Sequence, residues 1–231
     1  SDAHQAFVSL SQGFRAPQAT ELYRLQNSQN VADIDPVEMD SLELGFRGST
    51  EKVSYNIALF SMNKDNFIFR DTSRQNVDNG KTEHHGIELD MKMDLHEAVT
   101  ASVAFTWAEH QYDNNPALSA TPLKGNTIDT APETLGSMSI KWQVTPRQTH
   151  ELEWVRIGKY YEDPENRNEY EGHDLLHLRG SLSMNNSARI FYKVMNITDE
   201  DYAERADFSF GSDRYFVGTP RSVYLGLTLT L

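Results

Sequence analysis

The chain has 231 residues, 24% of them charged, with a formal net charge of -13 and a mean hydropathy of -0.60. No apolar run approaches the ~18 residues a membrane helix needs, and so acidic a surface excludes nucleic acid as a partner, because phosphate binding needs basic side chains. Zero cysteines remove disulfides, thiolate catalysis and thiolate metal sites. A membrane β-barrel stays open, since its strands are half apolar and average out as hydrophilic. The opening "SDAHQAFVSL" shows no basic region followed by an apolar core, so a signal peptide was removed or the chain starts inside its gene.

Read for a period of two, the chain yields about ten strands. The first, near 6–14, sets Val8 and Leu10 against Ser9 and Ser11. The second, near 38–48, opposes Leu42, Leu44 and Phe46 to Glu43, Gly45 and Arg47, and the third, near 52–69, opens with Val53, Tyr55, Ile57 and Leu59 on one side. The fourth puts Ile87, Leu89, Met91 and Met93 opposite Glu88, Asp90, Lys92 and Asp94. The fifth alternates Val99 to Trp107 with Thr100 to Thr106, and the sixth opposes Met138, Ile140, Trp142 and Val144 to Ser137, Ser139, Lys141 and Gln143. In the seventh, near 148–161, the apolar phase switches between Trp154 and Val155, which predicts a bulge or bend. The eighth carries Leu176, Leu178, Leu182 and Met184 opposite His177, Arg179, Ser181 and Ser183, and the ninth opposes Ile190, Tyr192 and Val194 to Arg189 and Lys193. The last runs to the final residue, with Val223 to Leu231 on the apolar parity.

Connection lengths alternate. "GSTEK", "LHEA", "TPR" and "NNS" are short, whereas 15–37, 70–81, 109–131, 161–172 and 198–220 are long. In an up-and-down meander every second connection lies at the same end, so one end carries tight turns and the other large loops. Outer-membrane barrels have that asymmetry, with short periplasmic turns and long extracellular loops. The predicted fold is therefore all-β, a transmembrane antiparallel up-and-down barrel with its apolar parity on lipid and its charged parity in the lumen. A soluble β protein whose sheets cover one another would not sort its connections by parity. A self-contained ten-stranded barrel, acting as an enzyme or adhesin, is the other alternative.

"QGFRAPQATELY" (12–23), "VEMDSLELGFRG" (37–48), "HHGIELD" (84–90) and "YKVMNITDEDYAE" (192–204), in this order along the chain, resemble the TonB-dependent outer-membrane receptor family. The first is similar to its Gly-Phe-Arg-Ala-Pro signature, the second to its Glu-Leu-Gly strand, and the third to its Gly-Val/Ile-Glu strand start. "TAPETLGSMSIKW" (130–142) and "YYEDPENRNEYEGHDLLHLRGSL" (160–182) resemble two further segments. "YKVMNITDEDYAE" (192–204) and "GTPRSVYLGLTLTL" (218–231) resemble the closing motifs. The resemblance implies that 1–231 is the C-terminal portion, roughly ten strands, of a barrel of about 22 strands, with the plug domain and earlier strands absent. It implies uptake of a scarce substrate, foremost a ferric siderophore or other metal chelate, energised by TonB through the missing N-terminal region. Outer-membrane lipid and the barrel-assembly machinery are the other implied partners. The family usually ends on an aromatic residue, where this chain has Leu231.

Candidate substrate contacts fall near the long loops: Arg70, His84, His85, Tyr112, Arg205, Arg214 and Tyr215. His84 and His85 are adjacent, so on a strand they face opposite ways and cannot chelate one ion together. "HDLLH" (173–177) has the helical spacing of a zinc pair, but on a strand its histidines lie about 13 Å apart. Glu109 and His110 lack a partnered nucleophile, and no phosphate loop, nucleophile elbow or metalloprotease helix appears. No enzyme activity, cofactor or resident metal is expected.

Overall fold

The computed structural model describes residues 4–22, 34–70, 76–116 and 121–230; of Arg70 and Asn76 it describes the backbone only. Ten strands form one antiparallel sheet: β1 (His4–Arg15), β2 (Val37–Ser49), β3 (Val53–Arg70), β4 (Asn76–His96), β5 (Val99–Tyr112), β6 (Thr134–Thr145), β7 (Gln148–Ile157), β10 (His173–Ser183), β11 (Ala188–Met195) and β14 (Ser222–Leu229). Two hairpins, β8 (Tyr160–Tyr161) with β9 (Glu169–Tyr170) and β12 (Ala203–Ser209) with β13 (Ser212–Val217), sit in connections at the long-loop end. In the ten-stranded sheet each strand pairs with the strands next to it in the chain, and β1 and β14 are the two edges. The sheet is a meander that does not close on itself.

Register aligns the alternations of neighbouring strands. Across β3, β4, β5, β6 and β7, Tyr55 meets Met91, Met91 meets Val103, Val103 meets Met138 and Met138 meets Trp154. One face of the sheet is thus apolar from strand to strand, and its large side chains are exposed; Leu10 keeps 81% of its surface. An apolar face of that extent needs lipid against it. On β5 the belt runs from Val99 to Trp107, about 27 Å along the strand at ~3.4 Å per residue, or about 21 Å high at a tilt near 40°. Beyond Trp107 and Trp154 the same face turns polar. His85 meets Glu109 at 3.0 Å, and Arg156 meets Asp174 at 2.9 Å beside the Trp154 indole N–H.

The opposite face, the lumen face, carries Glu43, Glu88, Asp90, Lys92, Lys141 and Arg179. Arg179 bridges Glu151 and Glu153 from the neighbouring strand. Two glycines on this face lie beneath aromatic rings. A Cβ on Gly45 would stand 2.0 Å from Phe7, and one on Gly226 would stand 2.1 Å from Phe191. Each ring lies across the strand from its glycine in the ladder, so the missing side chain is what lets the aromatic lie flat on the sheet.

The structure corrects two expectations. There is no bulge in β7: its register with β10 is unbroken from Gln148 to Ile157. The phase switch instead puts Val155 and Ile157 on the lumen face, where Ile157 packs against the cluster of Tyr160, Ala203 and Ala206. Within the expected connection 70–81, residues 70 and 76–81 are also strand. β3 and β4 continue pairing as far as Arg70 and Asn76, with register shifts near Phe67, so His84 and His85 lie mid-strand rather than at a strand start. Leu231 lies outside the described residues.

Candidate substrate-binding mouth

At the long-loop end the strands outrun the apolar belt, and their extensions need a core of their own. Phe69, Val77, Tyr112, Leu123 and Ile128 supply it, with Phe67 and Ala131 packed against them. The segment after β5 doubles back on its strand: Gly125 N–H donates to Tyr112 C=O at 2.7 Å, and Ile128 N–H donates to His110 C=O at 2.9 Å. Asn166 clamps this segment from the turn after β8. Its amide accepts from Thr127 N–H and donates to Thr127 C=O, both at 2.7 Å. Asp163 holds that turn by accepting from the backbone N–H groups of Arg167 and Asn168.

Between these loops and the β12–β13 hairpin lies a cavity of about 330 Å³. Phe67, Phe69, Tyr112, Asp129, Glu162, Arg205 and Asp207 are among its lining residues. Tyr112 is 1% exposed, and its hydroxyl donates to Asp129 Oδ1 at 3.0 Å. Burial raises the Asp129 carboxyl to about 6, with Asp163 and Glu165 adding to it against the hydrogen bond from Tyr112. Glu162 is 2% exposed, has no hydrogen-bond partner for Oε2, and is likewise raised by burial. Asp207 is buried between two guanidiniums, Arg205 at 2.5 Å and Arg214 Nε at 2.6 Å. Arg205 also lies over the Phe216 ring at 5.5 Å.

The predicted contacts therefore distribute as follows. Tyr112 and Arg205 line the cavity, Arg214 reaches it through Asp207, and Tyr215 lies beside Glu162 with its ring half exposed. His84 faces the lumen one register step below Thr82 and Tyr112, while His85 faces outward to Glu109. Arg70 ends β3, and its side chain lies outside the described residues. His173 and His177 take separate partners, His173 the Tyr170 hydroxyl at 2.8 Å and His177 the Asn196 N–H at 3.0 Å. Sequence reasoning missed Asp129, Glu162 and Asp207, which sit in segments without periodicity. Among the described residues, no group of three or more His, Cys, Asp or Glu is placed to hold a metal.

The family profile described as TonB dependent receptor-like, beta-barrel matches residues 1–197. The chain belongs to that family. It is a bacterial outer-membrane barrel chain, in a family of transport receptors rather than enzymes. No curated protein matches it in sequence. Among solved structures it is similar to the ferric yersiniabactin uptake receptor FyuA from Yersinia pestis, at 17% identity and a TM-score of 0.82, covering 99% of this chain and 35% of that one. It is similar to the siderophore receptor PiuA from Acinetobacter baumannii, at 17% identity and TM-score 0.82, covering 99% and 34%. It is also similar to the ferric-catecholate import receptor Fiu from E. coli K12, at 16% identity and TM-score 0.79, covering 99% and 33%. The chain thus spans about a third of the length of these structures.

In this TonB-dependent receptor barrel the motif residues hold turns. Arg15 forks onto both oxygens of Glu21 at 2.9 and 3.1 Å, and Glu21 also accepts from Gln18 N–H. Asn196, 1% exposed, spans the loop start: it accepts from Glu200 N–H and donates to the carbonyls of Glu200 and Thr219. Asp199 accepts from Arg221 N–H and so fixes where the last strand begins.

Proposed function

We propose that this chain is wall and loop of an outer-membrane active-transport receptor that binds a ferric siderophore or other metal chelate and imports it with energy from TonB. The observation that carries the reading is the cavity among the long loops of a barrel of this family, walled by aromatic rings and by charged groups held in pairs. Such a site grips the organic shell of a chelate by stacking and orients it by hydrogen bonds. The sheet's two open edges support the rest of the proposal. Unpaired strand edges are not tolerated in hydrocarbon, so the remaining strands, and the plug on which TonB acts, come from the rest of the receptor. The barrel-assembly machinery inserts it, and the apolar belt meets outer-membrane lipid.

The test is binding of a panel of ferric siderophores to the purified intact receptor, with growth on the same chelates in cells with and without TonB. One chelate should bind with submicromolar affinity, and its use should require both receptor and TonB. Arg205→Ala should weaken it by about tenfold, the scale of one charge-assisted contact at ~1.4 kcal/mol. Binding of no chelate, with growth unchanged when the receptor is deleted, would overturn the reading.

A further inference from the structure

Below the mouth cavity three neighbouring strands carry Met62, His84 and His110 in one row. Met62 pairs with His84 between β3 and β4, and His84 pairs with His110 between β4 and β5. Residues directly opposed in an antiparallel ladder share a face, with Cα atoms about 4.5–5.5 Å apart. A thioether and two imidazoles therefore crowd one patch of the lumen face. His84 is 7% exposed, and its Nε2 meets the Thr82 hydroxyl at 2.9 Å. That tie turns Nδ1 toward His110 Nδ1, 2.8 Å away, with the two rings inclined at 59°. Two imidazole nitrogens at that distance share one proton between two lone pairs. A hydrogen bond on the far nitrogen is how metal-ligating histidines are oriented.

We propose that Met62, His84 and His110 form a site for a soft monovalent metal ion, Cu(I), on the lumen face. Metal–nitrogen bonds of ~2.0–2.1 Å at tetrahedral to trigonal angles need nitrogens about 3.4 Å apart, so the rings separate by about 0.6 Å. The ring that carried the shared proton moves it to its own Nε2, so both imidazoles stay neutral. If that ring is His84, the Thr82 hydroxyl turns from donor to acceptor. Met62 has three rotatable bonds with which to bring its sulfur to the ion. A thioether with two imidazoles favours copper over hard cations. Lys64, paired with Thr82 and close enough to act on both rings, makes each added positive charge unfavourable and so favours a monovalent ion over Zn(II) or Cu(II). The ion's remaining position opens to the lumen. The site depends on the register of β3, β4 and β5 and not on the transport reading, so either can fail alone.

The experiment uses the intact receptor in detergent, titrated anaerobically with Cu(I) held by bicinchoninate, whose colour reports transfer of the metal. The receptor should withdraw a single Cu(I). His84→Gln and His110→Gln should each weaken uptake about a hundredfold, and the near-isosteric Met62→Leu about tenfold, the range seen when a metal site loses support or a ligand. X-ray absorption of the loaded wild type should show two nitrogen scatterers and one sulfur, a result that stands even if a variant fails to assemble. No withdrawal by the wild type, equal uptake by the histidine variants, or a shell without sulfur would each overturn the site. Zn(II) binding as tight as Cu(I) would overturn the choice of a monovalent ion.

Discussion

Asp129 is the residue whose chemistry most depends on its surroundings. In an unfolded chain an aspartate titrates near ~3.9, whereas here burial holds the carboxyl at about 6. Between those values the folded mouth keeps a proton that the unfolded chain has lost. The resulting stability is fully present below about 4 and is lost as pH rises through about 6. Lowering the pH from 7 to 5 should therefore slow hydrogen exchange of the Gly125, Asn126 and Ile128 amides by up to about tenfold beyond the intrinsic pH effect. Asp129→Asn should remove the difference. Equal pH dependence in both proteins would show that the loop does not sense this carboxyl. Asp207, 6% exposed, is held by charge instead: it lies between the guanidiniums of Arg205 and Arg214.

At the scale of the strand, the sheet is held by pairs that face each other across the ladder. Gly226 opposite Phe191 is the clearest, since the glycine's missing side chain is the space the ring fills. Gly226→Val drives a branched Cβ into that ring and should destabilise the receptor by about 1–3 kcal/mol, the usual cost of overpacking. Adding Phe191→Leu should recover part of the loss, as expected for two residues in contact. Urea unfolding of the receptor in micelles checks both; a double variant no better than the sum of the singles would refute the pairing. The β7 phase switch belongs to this scale too. Ile157 is apolar on the polar parity because the lumen face near the mouth has its own apolar cluster to fill, and the pairing with β10 runs past Val155 without a bulge.

For the whole molecule, the exposed apolar face and the charged face differ in solvent, and substitutions should tell them apart. Val103 lies in the middle of the belt, between Met91 and Met138, whereas Ala104 points into the lumen opposite Asp90. Val103→Arg should cost about 2–4 kcal/mol, the range for a cation at the bilayer midplane. Ala104→Arg should cost under about 1 kcal/mol, because water and Asp90 receive the charge. Unfolding of the receptor in liposomes measures both, and equal costs would mean that the apolar face does not meet lipid.

The fold was legible because a period of two is a local signal. Leu42, Leu44 and Phe46, or Ile87, Leu89 and Met91, sort to one face wherever their partners lie, and short and long connections alternating along the chain make a meander. The family was legible in turn motifs such as Arg15 with Glu21, whose partners lie a few residues apart. The mouth was legible only in pieces. Tyr112, Arg205, Arg214 and Tyr215 stood out as residue types, yet nothing near them in sequence announces Asp129, Glu162 or Asp207. Asp129 and Glu162 take their partners from distant segments, Tyr112 and Tyr215, and even Asp207, whose guanidiniums lie two and seven residues away, enters the mouth only through the β12–β13 hairpin. The meeting of His84 with His110 is likewise set by the register of β4 on β5, and register is a property of two strands together. Sequence by itself determined which face of each strand is apolar, because that depends on neighbours two residues apart. Only tertiary structure decided which side chains line one cavity or face each other across strands, because those interactions act over a few ångströms between residues the chain keeps far apart.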